Sequence, residues 1–509
     1  MKRLSHEKSR RNSAKRKRKV QARHNLAGHW DAQPRPMFHS GKMHYEIGAN
    51  TDITSFGGIA AVHRLLVKLG LPDKIDEDIE LLKVHLPYHE SDHVLNMAYN
   101  VLCGGTRLED IERLRHDAAY MNALGADLIP DPTTAGDFCR RFSEPDVVRL
   151  MECINAVRPK LWQGRGRELL SPITYLDVDG TIAPTLGEKK AGMDISYKGV
   201  WGYAPLIVSL ANTKEVLYLV NRPGNAPSHT DAPEWIDKAI NLVSPCAERI
   251  CLRGDTDFSL TAHFDRWAER VDFLFGMDAH RALVTRAEGL PEAVWKPLER
   301  KEKYETRTDQ KRQRYQHNEK QRIVREREYL NLELNHEDVA EFTYRPVKCN
   351  RDYRVVAVRK NITRMKGELR LLDEIRYLFY ITTRTDLSAA EVVRCANERC
   401  DQENVIEQLK NGVNALRVPL YDLVSNWAHM VMAALAWNIK SWFAMMMHLK
   451  SDRLLYIRME FRRFVNSIIL IPCRVVRRAR SIIIRLLGYQ PARDRLFTVW
   501  QTIERTGFG

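Results

Sequence analysis

The sequence predicts an α/β protein whose mixed β-sheet is flanked by helices, with a helical N-terminal domain, an inserted β-rich and charged subdomain and a helical C-terminal region. Three observations support this fold class. Apolar residues recur at helical spacing from Gly57 to about Phe142, strand-like and helix-like stretches alternate after Leu170, and the chain from Leu420 onward is again helical and apolar. The order of strands and helices after Leu170 indicates a mixed α/β layer.

Length and composition favour a multidomain protein with a polyanionic partner. The chain of 509 residues is too long for one hydrophobic core, and its 44% hydrophobic content is ordinary for a globular protein. Lys and Arg outnumber Asp and Glu by 80 to 65, which gives a formal net charge of +15. Nucleic acid is therefore the first partner to consider, and an anionic membrane surface is the second.

The sequence contains no pattern typical of secretion or membrane insertion. The N-terminus is charged and is followed by no apolar segment. The most apolar window, Met430–Met447, is interrupted by Asn438 and Lys440, which predicts a buried core helix. The nine cysteines are scattered without zinc-finger spacing and are expected to be reduced thiols. We therefore expect a cytoplasmic protein with no membrane partner.

Residues 1–50 are predicted to form a basic and largely disordered arm. Residues 1–25 contain eleven Lys and Arg residues against one acid, Glu7, and almost no large apolar side chain. The densest run is Lys15, Arg16, Lys17, Arg18 and Lys19. Such a run binds phosphates by releasing counterions, with little sequence preference, and the alternative is a solvated tail.

The other domains follow from changes of pattern along the chain. Residues 51–165 are predicted to be a helical domain, which either places a helix in a DNA groove or serves as a scaffold. Residues 166–283 and 379–450 are predicted to form the two parts of one α/β core, interrupted by an insertion at residues 284–378. Residues 451–509 are predicted to be a basic helical region, because arginines are interleaved with Ile and Val there.

Within the core, three strands precede two helix–strand pairs. The predicted strands are Ile173–Ile182, Leu206–Ala211, Val216–Val220, Arg249–Arg253 and Asp272–Phe275, and the predicted helices are Pro233–Val243 and Ser259–Val271. The insertion begins with a charged segment, either a DNA contact or a solvated helix, and continues into strands at Phe342–Val347 and Tyr353–Val358. A strand at Tyr377–Thr383 leads to a helix whose start is marked by Ser388 and, three residues later, Glu391.

Two acidic pairs interrupt apolar stretches of this core. Asp177 and Asp179 lie in a strand, where side chains alternate, so both point to one face and an unpaired charge would be costly. Asp255 and Asp257 directly follow another predicted strand, at the edge where α/β sheets present ligands. Each pair has a structural alternative. A strand acid can be satisfied by hydrogen bonds, and a turn or N-cap aspartate suits Asp257 better than Asp255.

A third acidic position, Glu403, lies on the later helix. Arg399, Glu403 and Lys410 are separated by four and seven residues, so they are predicted to fall on one helical face. Glu407, one turn beyond Glu403, is the competing candidate. The structural alternative is an exposed face of salt bridges.

Asp179, Asp255 and Glu403 together are typical of metal-dependent phosphoryl transfer. Carboxylate oxygens are hard ligands that suit Mg²⁺, with Mn²⁺ as the alternative. Two such ions in the active site, about 4 Å apart, would activate the attacking hydroxyl and stabilise the leaving oxygen. Arg399 and Lys410 would then contact the phosphates of bound DNA.

At these residues the sequence resembles the DDE transposases of bacterial insertion sequences, which have an RNase H-like core and a β-rich insertion before the final Glu. Their first motif, an Asp, a small residue and a Thr at a strand, matches Asp179-Gly180-Thr181. Their second motif, an Asp with an aromatic residue three positions on, matches Asp255 and Phe258. Asp257 replaces the glycine that is usual after the second Asp, so Asp255 and Asp257 both stay open as the second acid.

The third signature of these transposases runs Tyr, two residues, Arg, three residues, Glu, six residues, Lys. It matches at Arg399, Glu403 and Lys410, while Ala396 occupies the tyrosine position. The long separation between Asp255 and Glu403 matches the branch that carries the insertion.

The resemblance implies a metal-dependent DNA transposase of an insertion sequence. Such an enzyme binds terminal inverted repeats, pairs two ends as a homodimer, cleaves the DNA and joins its 3′-hydroxyl ends to target DNA. It would work on the nucleoid in a bacterial cytoplasm. Members that excise through hairpin ends flip a base against an aromatic residue of the insertion, for which Trp295, Tyr304, Tyr315 and Tyr329 are all candidates.

Two other functions fit parts of the sequence. An RNase H-like nuclease would cut DNA without joining it to a target, and a domesticated DNA-binding protein would have no catalytic activity. The second of these does not require all three carboxylates, so the complete acidic set favours an enzyme.

Overall fold

A computed structural model of the chain describes residues 14–25, 36–38, 42–47, 52–299, 330–366, 369–479, 481–487 and 492–508. Contacts divide the chain into two compact units, each assembled from separate segments. The helical unit comprises the chain up to residue 166, residues 187–191 and the chain from residue 407. The sheet unit comprises residues 167–186 and 192–406. The chain therefore enters the sheet unit twice.

The helical unit draws its helices from both ends of the chain. Those from the N-terminal part are Ile59–Leu69, Leu71–Asp78, Glu90–Leu102, Ile111–Arg115, Ala118–Leu124, Pro132–Cys139, Glu144–Ala156 and Arg158–Trp162. Those from the C-terminal part are Leu423–Met445, Lys450–Arg458, Phe461–Phe464 and Arg493–Arg505. Gly70, with a left-handed φ of 75°, ends the first helix, and Pro132 lies in the first turn of its own helix.

Helix Leu423–Met445 is buried almost throughout. Every residue from Ser425 to Met445 is buried, as expected for a helix that is apolar on all sides. Lys440 is buried as well, and its ammonium donates to the carbonyl oxygens of Ile457 at 2.7 Å and Met459 at 2.9 Å. Among the described residues, no helix is both long and apolar enough to cross a membrane. The prediction of a core helix in this window is confirmed.

Residues 14–25 form a helix that is exposed along its whole length. The sequence predicts a largely disordered arm here, and the structure has a helix instead. Ala, Lys, Arg and Gln have good helix propensity, and neither Gly nor Pro interrupts these residues. The helix carries the basic run Lys15, Arg16, Lys17, Arg18 and Lys19 on an exposed surface.

The C-terminal region is not helical throughout. Strands Cys473–Arg478 and Ser481–Leu486 form an antiparallel hairpin, and the short strand Ile53–Thr54 pairs with the first of them. The prediction of a helical region over residues 451–509 does not hold for this hairpin. Its Val and Ile residues are β-branched and favour strands, so the interleaved arginines follow a strand rather than a helix.

The sheet unit is built on one nine-stranded mixed sheet. Its strands are β1 (Thr174–Gly180), β2 (Leu206–Leu210), β3 (Glu215–Val220), β4 (Ile250–Gly254), β5 (Asp272–Met277), β6 (Lys296–Pro297), β7 (Leu330–Tyr344), β8 (Tyr353–Lys366) and β9 (Leu369–Thr382). In space they lie in the order β6-β7-β8-β9-β5-β4-β1-β2-β3. β1 is antiparallel to β2 and parallel to β4, and β4 is parallel to β5. Strands β3-β2-β1-β4-β5 therefore have the RNase H-like order and directions that the resemblance implies.

Helices cover both faces of the sheet. Val178 lies on the face where Trp235 of helix Ala232–Val243 packs against β3. Because side chains alternate along a strand, Asp179 points to the opposite face. Helix Ala389–Glu398 packs on that second face, where its Val and Cys side chains join a buried cluster with β4 and β5. The predicted α/β fold with a helix-flanked mixed sheet is confirmed.

Three long antiparallel strands make up most of the described part of the insertion. β7, β8 and β9 contain 15, 14 and 14 residues, and residues 379–382 of β9 join them to β5. The predicted strands correspond to only one end of each, because the sequence becomes polar toward the other end. The charged segment from Lys301 to Arg327 lies outside the described residues, as do Tyr304, Tyr315 and Tyr329.

One predicted helix of the core is much shorter in the structure. In place of Ser259–Val271, the chain forms 3-10 turns at Thr256–Phe258 and Thr261–His263 and a short helix at Phe264–Ala268. Phe264 stacks on Phe273 of β5 with ring centroids 4.6 Å apart. Phe264 and Trp267 are buried, so this connection packs against the core without forming a continuous helix.

Candidate active site

Two parallel strands place acids at the same edge of the sheet. Asp179 is the penultimate residue of β1, and Asp255 directly follows β4. Asp177 lies opposite Arg253 in the parallel register, which brings Asp179 level with Asp255. Carboxyl ends of parallel strands are where α/β sheets present their ligands. The first two predicted acids therefore meet at the expected edge.

Asp177 has a structural role in this arrangement. Arg253 donates from Nε to Asp177 Oδ1 at 2.7 Å and from Nη2 to Oδ2 at 2.9 Å. The two side chains are only 4% and 1% exposed, so the pair is buried. Although burial disfavours its charge, the Asp177 carboxylate raises the pKa of Arg253. Both oxygens of Asp177 are thus occupied, which leaves Asp179 as the acid of β1 that can bind a ligand.

Arg253 connects the two acid-bearing strands to the following helix. Beyond its bond to Asp177, it donates from Nη1 to the carbonyl oxygen of Cys395 at 3.1 Å, near the end of helix Ala389–Glu398. Its guanidinium also lies 4.4 Å from the centre of the Tyr175 ring. We name Arg253, Asp177 and the Cys395 carbonyl the arginine brace. It joins β1, β4 and the chain that leads to Arg399.

The turn after β4 is held by the aromatic residue of the second motif. Phe258 is fully buried, and its N–H donates to the Asp255 carbonyl at 3.3 Å. Gly254 is required for this close turn, because a Cβ there would lie 2.9 Å from Phe258 Cβ. Asp255 Oδ1 accepts from the backbone N–H of Asp257 at 3.1 Å. The expectation that the capping role suits Asp257 better was wrong, since Asp255 is the capping residue and Asp257 is exposed.

Arg399 is the counterion of the two acids. Its Nη1 donates to Asp179 Oδ2 at 3.0 Å, and the two side chains are 17% and 14% exposed. Burial raises the pKa of Asp179 to about 6; Arg399 opposes this shift and the charge of Asp255 adds to it. Burial also raises the pKa of Asp255, again against the effect of Arg399, and here the charge of Asp257 adds to the shift. The site therefore holds excess negative charge that one guanidinium offsets only in part.

This raised pKa predicts a pH-dependent cost in stability. Between the usual aspartate value of 3.8 and about 6, the folded chain keeps a proton on Asp179 that the unfolded chain has released. In metal-free protein the stability contributed by this group is therefore greatest below pH 4 and falls as the pH rises to about 6. We expect Asp179→Asn, which cannot ionise, to lose this dependence, a difference of at most about 3 kcal/mol.

Urea unfolding of wild type and variant in EDTA, at several pH values from 4 to 7, measures this difference. The two unfolding free energies should diverge as the pH rises through this window. Parallel pH profiles would contradict the assigned pKa.

Glu403 follows a break in the predicted helix. Helix Ala389–Glu398 ends at Arg399, and a second helix, Cys400–Glu407, begins after it. The prediction of one continuous helix face for Arg399, Glu403 and Lys410 was wrong, because Arg399 is a C-cap residue. Gln402 is buried and hydrogen-bonds Ser209 of β2, next to β1, while Glu403 is exposed. The structure brings Asp179, Asp255 and Arg399 together and holds the Glu403 segment against β2.

The remaining candidates near the third motif lie in the helical unit. Lys410 belongs to the π-helical segment Gln408–Gly412. Glu407 accepts a hydrogen bond from Asn411 Nδ2 at 2.6 Å. This bond engages Glu407 Oε1 one turn along the chain, and Glu403 remains the predicted third acid.

Trp295 is the candidate insertion aromatic that lies within the described residues. Its side chain is 8% exposed, and the Arg359 guanidinium lies 4.5 Å from its ring centre. The Tyr377 ring lies 6.1 Å away on β9. Trp295 therefore packs as part of the sheet and offers little free ring surface to a base.

Sequence reasoning overlooked Arg253 and Gln402, two buried polar residues that position the site. Arg253 stands in an apolar strand two residues before Asp255, just as Asp177 stands two residues before Asp179. The rule that an unpaired charge in a strand is costly therefore applied to both residues and could have paired them. Gln402 gives no such signal, because a glutamine beside Glu403 is ordinary on an exposed helix.

The two aspartates fit divalent metal ions. Their carboxylates are hard oxygen donors, and the excess negative charge around them would be offset by a cation. Among the described residues, the oxygens of Asp179, Asp255 and Glu403 do not all lie within 4.8 Å of one another, as ligands of a single ion would. A pair of ions about 4 Å apart tolerates wider spacing, because the outer carboxylates then bind different ions.

Comparisons with known proteins cover both units of the chain. A family model described as transposase DDE domain, group 1, matches residues 46–508. No curated protein sequence matches the chain. A cryo-EM structure of a piggyBac transposase synaptic complex with hairpin DNA is similar with a TM-score of 0.36 and 10% sequence identity, over 87% of this chain and 80% of that one. The family match includes every candidate residue except the basic run at residues 15–19.

Proposed function

The chain belongs to the transposase DDE domain family, group 1, and we propose that it cleaves the ends of an insertion sequence and transfers the cut ends into target DNA. The observation that carries this proposal is the meeting of Asp179 and Asp255 at the carboxyl ends of two parallel strands, with Arg399 bonded to Asp179 and acting electrostatically on both acids. Asp179, Asp255 and Glu403 would hold two Mg²⁺ ions, or Mn²⁺ in their place.

The residues of the chain contribute position and charge to this chemistry. Bound divalent ions supply polarisation of the phosphate and activation of the attacking water or 3′-hydroxyl. Asp179 and Asp255 must be ionised to bind cations, and their burial keeps the field at the reacting phosphate strong. When a bound cation offsets the charge of Asp179, the Arg399 guanidinium would be able to donate to a phosphate oxygen instead. The arginine brace keeps the two acid-bearing strands in register.

DNA would be bound by basic groups outside the acidic site. The exposed helix at residues 14–25 carries Lys15, Arg16, Lys17, Arg18 and Lys19, which would contact phosphates without reading base sequence. Lys410 would contact the phosphate backbone of bound DNA. Pairing of two inverted repeats would require a homodimer, acting on nucleoid DNA in the cytoplasm.

A joining assay tests the proposed function. The DNA that flanks this reading frame supplies the donor ends, and supercoiled plasmid supplies the target. With Mg²⁺, we expect a product in which a donor 3′ end is covalently linked to the plasmid. Cleavage of donor ends without any linked product would instead favour a nuclease, and DNA binding without cleavage would favour a non-catalytic protein.

Glu403 and Glu407 can be separated by matched substitutions. Glu403→Gln is expected to reduce cleavage by more than about 100-fold, because it removes a carboxylate that would bind an ion directly, and even indirect partners of metal ligands cost about 10- to 100-fold. Glu407→Gln can keep its hydrogen bond to Asn411 through the amide oxygen, so cleavage should stay near the wild-type rate. Rates on the same end-bearing duplex measure the difference, and the reverse pattern would make Glu407 the third acid.

A further inference from the structure

A cluster of metal-ligating side chains lies in the helical unit, whereas the acidic motifs belong to the sheet unit. His85, His89 and Glu90 each offer a ligand atom, and these atoms all lie within 4.8 Å of one another. His85 and His89 belong to the connection between helices Leu71–Asp78 and Glu90–Leu102, and Glu90 is the first residue of the second helix. We propose that this cluster is a binding site for a borderline divalent transition-metal ion, with Zn²⁺ as the expected occupant.

Glu90 is built into the cluster as an oriented ligand. The residue is 1% exposed, and its Oε1 accepts from the backbone N–H groups of Leu81 at 3.0 Å and Leu82 at 2.9 Å. These bonds fix the carboxylate and direct Oε2 toward His85 Nε2, 3.0 Å away. Hydrogen-bonded carboxylates of this kind are usual among metal ligands, because the outer bonds orient the ligand and tune its charge.

The two imidazoles complete the cluster. Their rings stack with centroids 4.3 Å apart and planes inclined by 15°. His89 is the N-cap residue of helix Glu90–Leu102, where its backbone N–H donates to Asp92 Oδ2 at 2.9 Å, and this cap holds its ring beside that of His85. Because a metal ion lies near the plane of each imidazole ring that binds it, one of these two exposed rings would rotate about its Cβ–Cγ bond on binding.

The donor set selects the class of ion. Two imidazole nitrogens and one carboxylate oxygen form a three-ligand set that binds Zn²⁺ with one coordination position left for water. Mg²⁺ prefers oxygen ligands throughout, so the cluster should discriminate against it. Both histidines are exposed, so an ion can enter from solvent. Bound Zn²⁺ would fasten residues 81–89 to the start of helix Glu90–Leu102.

Zinc titration of the full-length protein without a histidine tag tests the site. Competition against a chromogenic chelator, with excess Mg²⁺ present, should detect one Zn²⁺ equivalent that is weakened by about 10-fold or more in His85→Asn and in His89→Asn. The matched control is His116→Asn, a histidine with a 77% exposed side chain that bonds to Glu112. Its zinc affinity should equal that of the wild type.

A second measurement distinguishes loss of zinc binding from misfolding of the variants. Proteolysis within residues 81–89 should slow on addition of Zn²⁺ in the wild type and His116→Asn, but not in His85→Asn or His89→Asn. Unchanged zinc affinity in both cluster variants, or no zinc bound above buffer, would overturn the proposal. Because this assay contains no DNA, its outcome is independent of whether the chain joins DNA strands.

Discussion

Asp179→Asn is expected to retain binding to donor-end DNA and to lose cleavage by more than about 100-fold. The amide is neutral, so it is a poor ligand for Mg²⁺ and removes the charge that a bound ion would offset. Asp179 accepts from Arg399, and an amide oxygen can accept the same bond, so the fold should survive. Cleavage of a labelled duplex and a gel-shift titration on the same DNA measure the two properties.

Asp127→Asn is the matched control for this experiment. It makes the same chemical change at a side chain that is 90% exposed, so it should bind and cleave like the wild type. Wild-type cleavage by Asp179→Asn would reject the assigned active site, and loss of both binding and cleavage would point to misfolding instead.

Asp177→Ala is expected to destabilise the sheet unit by about 3–5 kcal/mol, because it leaves the buried Arg253 guanidinium without its carboxylate. The double variant Asp177→Leu/Arg253→Met removes both charges and should recover much of this loss, since an apolar replacement of similar volume is often neutral. The free energy of unfolding in urea measures both effects.

Glu269→Ala is the control for Asp177→Ala. It breaks an ion pair with Arg351 in the same unit, where the side chains are 62% and 50% exposed, and should cost under about 1 kcal/mol. Equal losses in Asp177→Ala and Glu269→Ala would show that the buried pair contributes no more than a surface pair.

Local patterns predicted the core of the sheet unit well. The strands that became β1 to β5 were apolar runs bounded by turn residues, and their order along the chain already indicated a mixed layer. The meeting of Asp179 and Asp255 could be anticipated because both acids interrupt or end such runs. These features depend on residues close in sequence, which is why the sequence alone revealed them.

Features that depend on distant pairing were harder to predict. The Asp177–Arg253 pair joins residues that are 76 positions apart, so predicting it requires the parallel register of β1 and β4 as well as the two strands themselves. The break at Arg399 lies within a stretch with an uninterrupted helical pattern, so only the packing of Gln402 against β2 reveals where the second helix lies. The C-terminal hairpin was missed because alternating Arg and Ile or Val residues fit the basic face of a helix as readily as a strand.

The arginine brace has a consequence for how the protein responds to heat. The buried Arg253 guanidinium joins both acid-bearing strands and the helix before Arg399. The positions of Asp179 and Asp255 are therefore fixed as long as the sheet remains folded. Warming should therefore leave the arrangement of Asp179 and Asp255 unchanged until the sheet unit melts. Catalytic competence and tertiary structure would then disappear in a single transition.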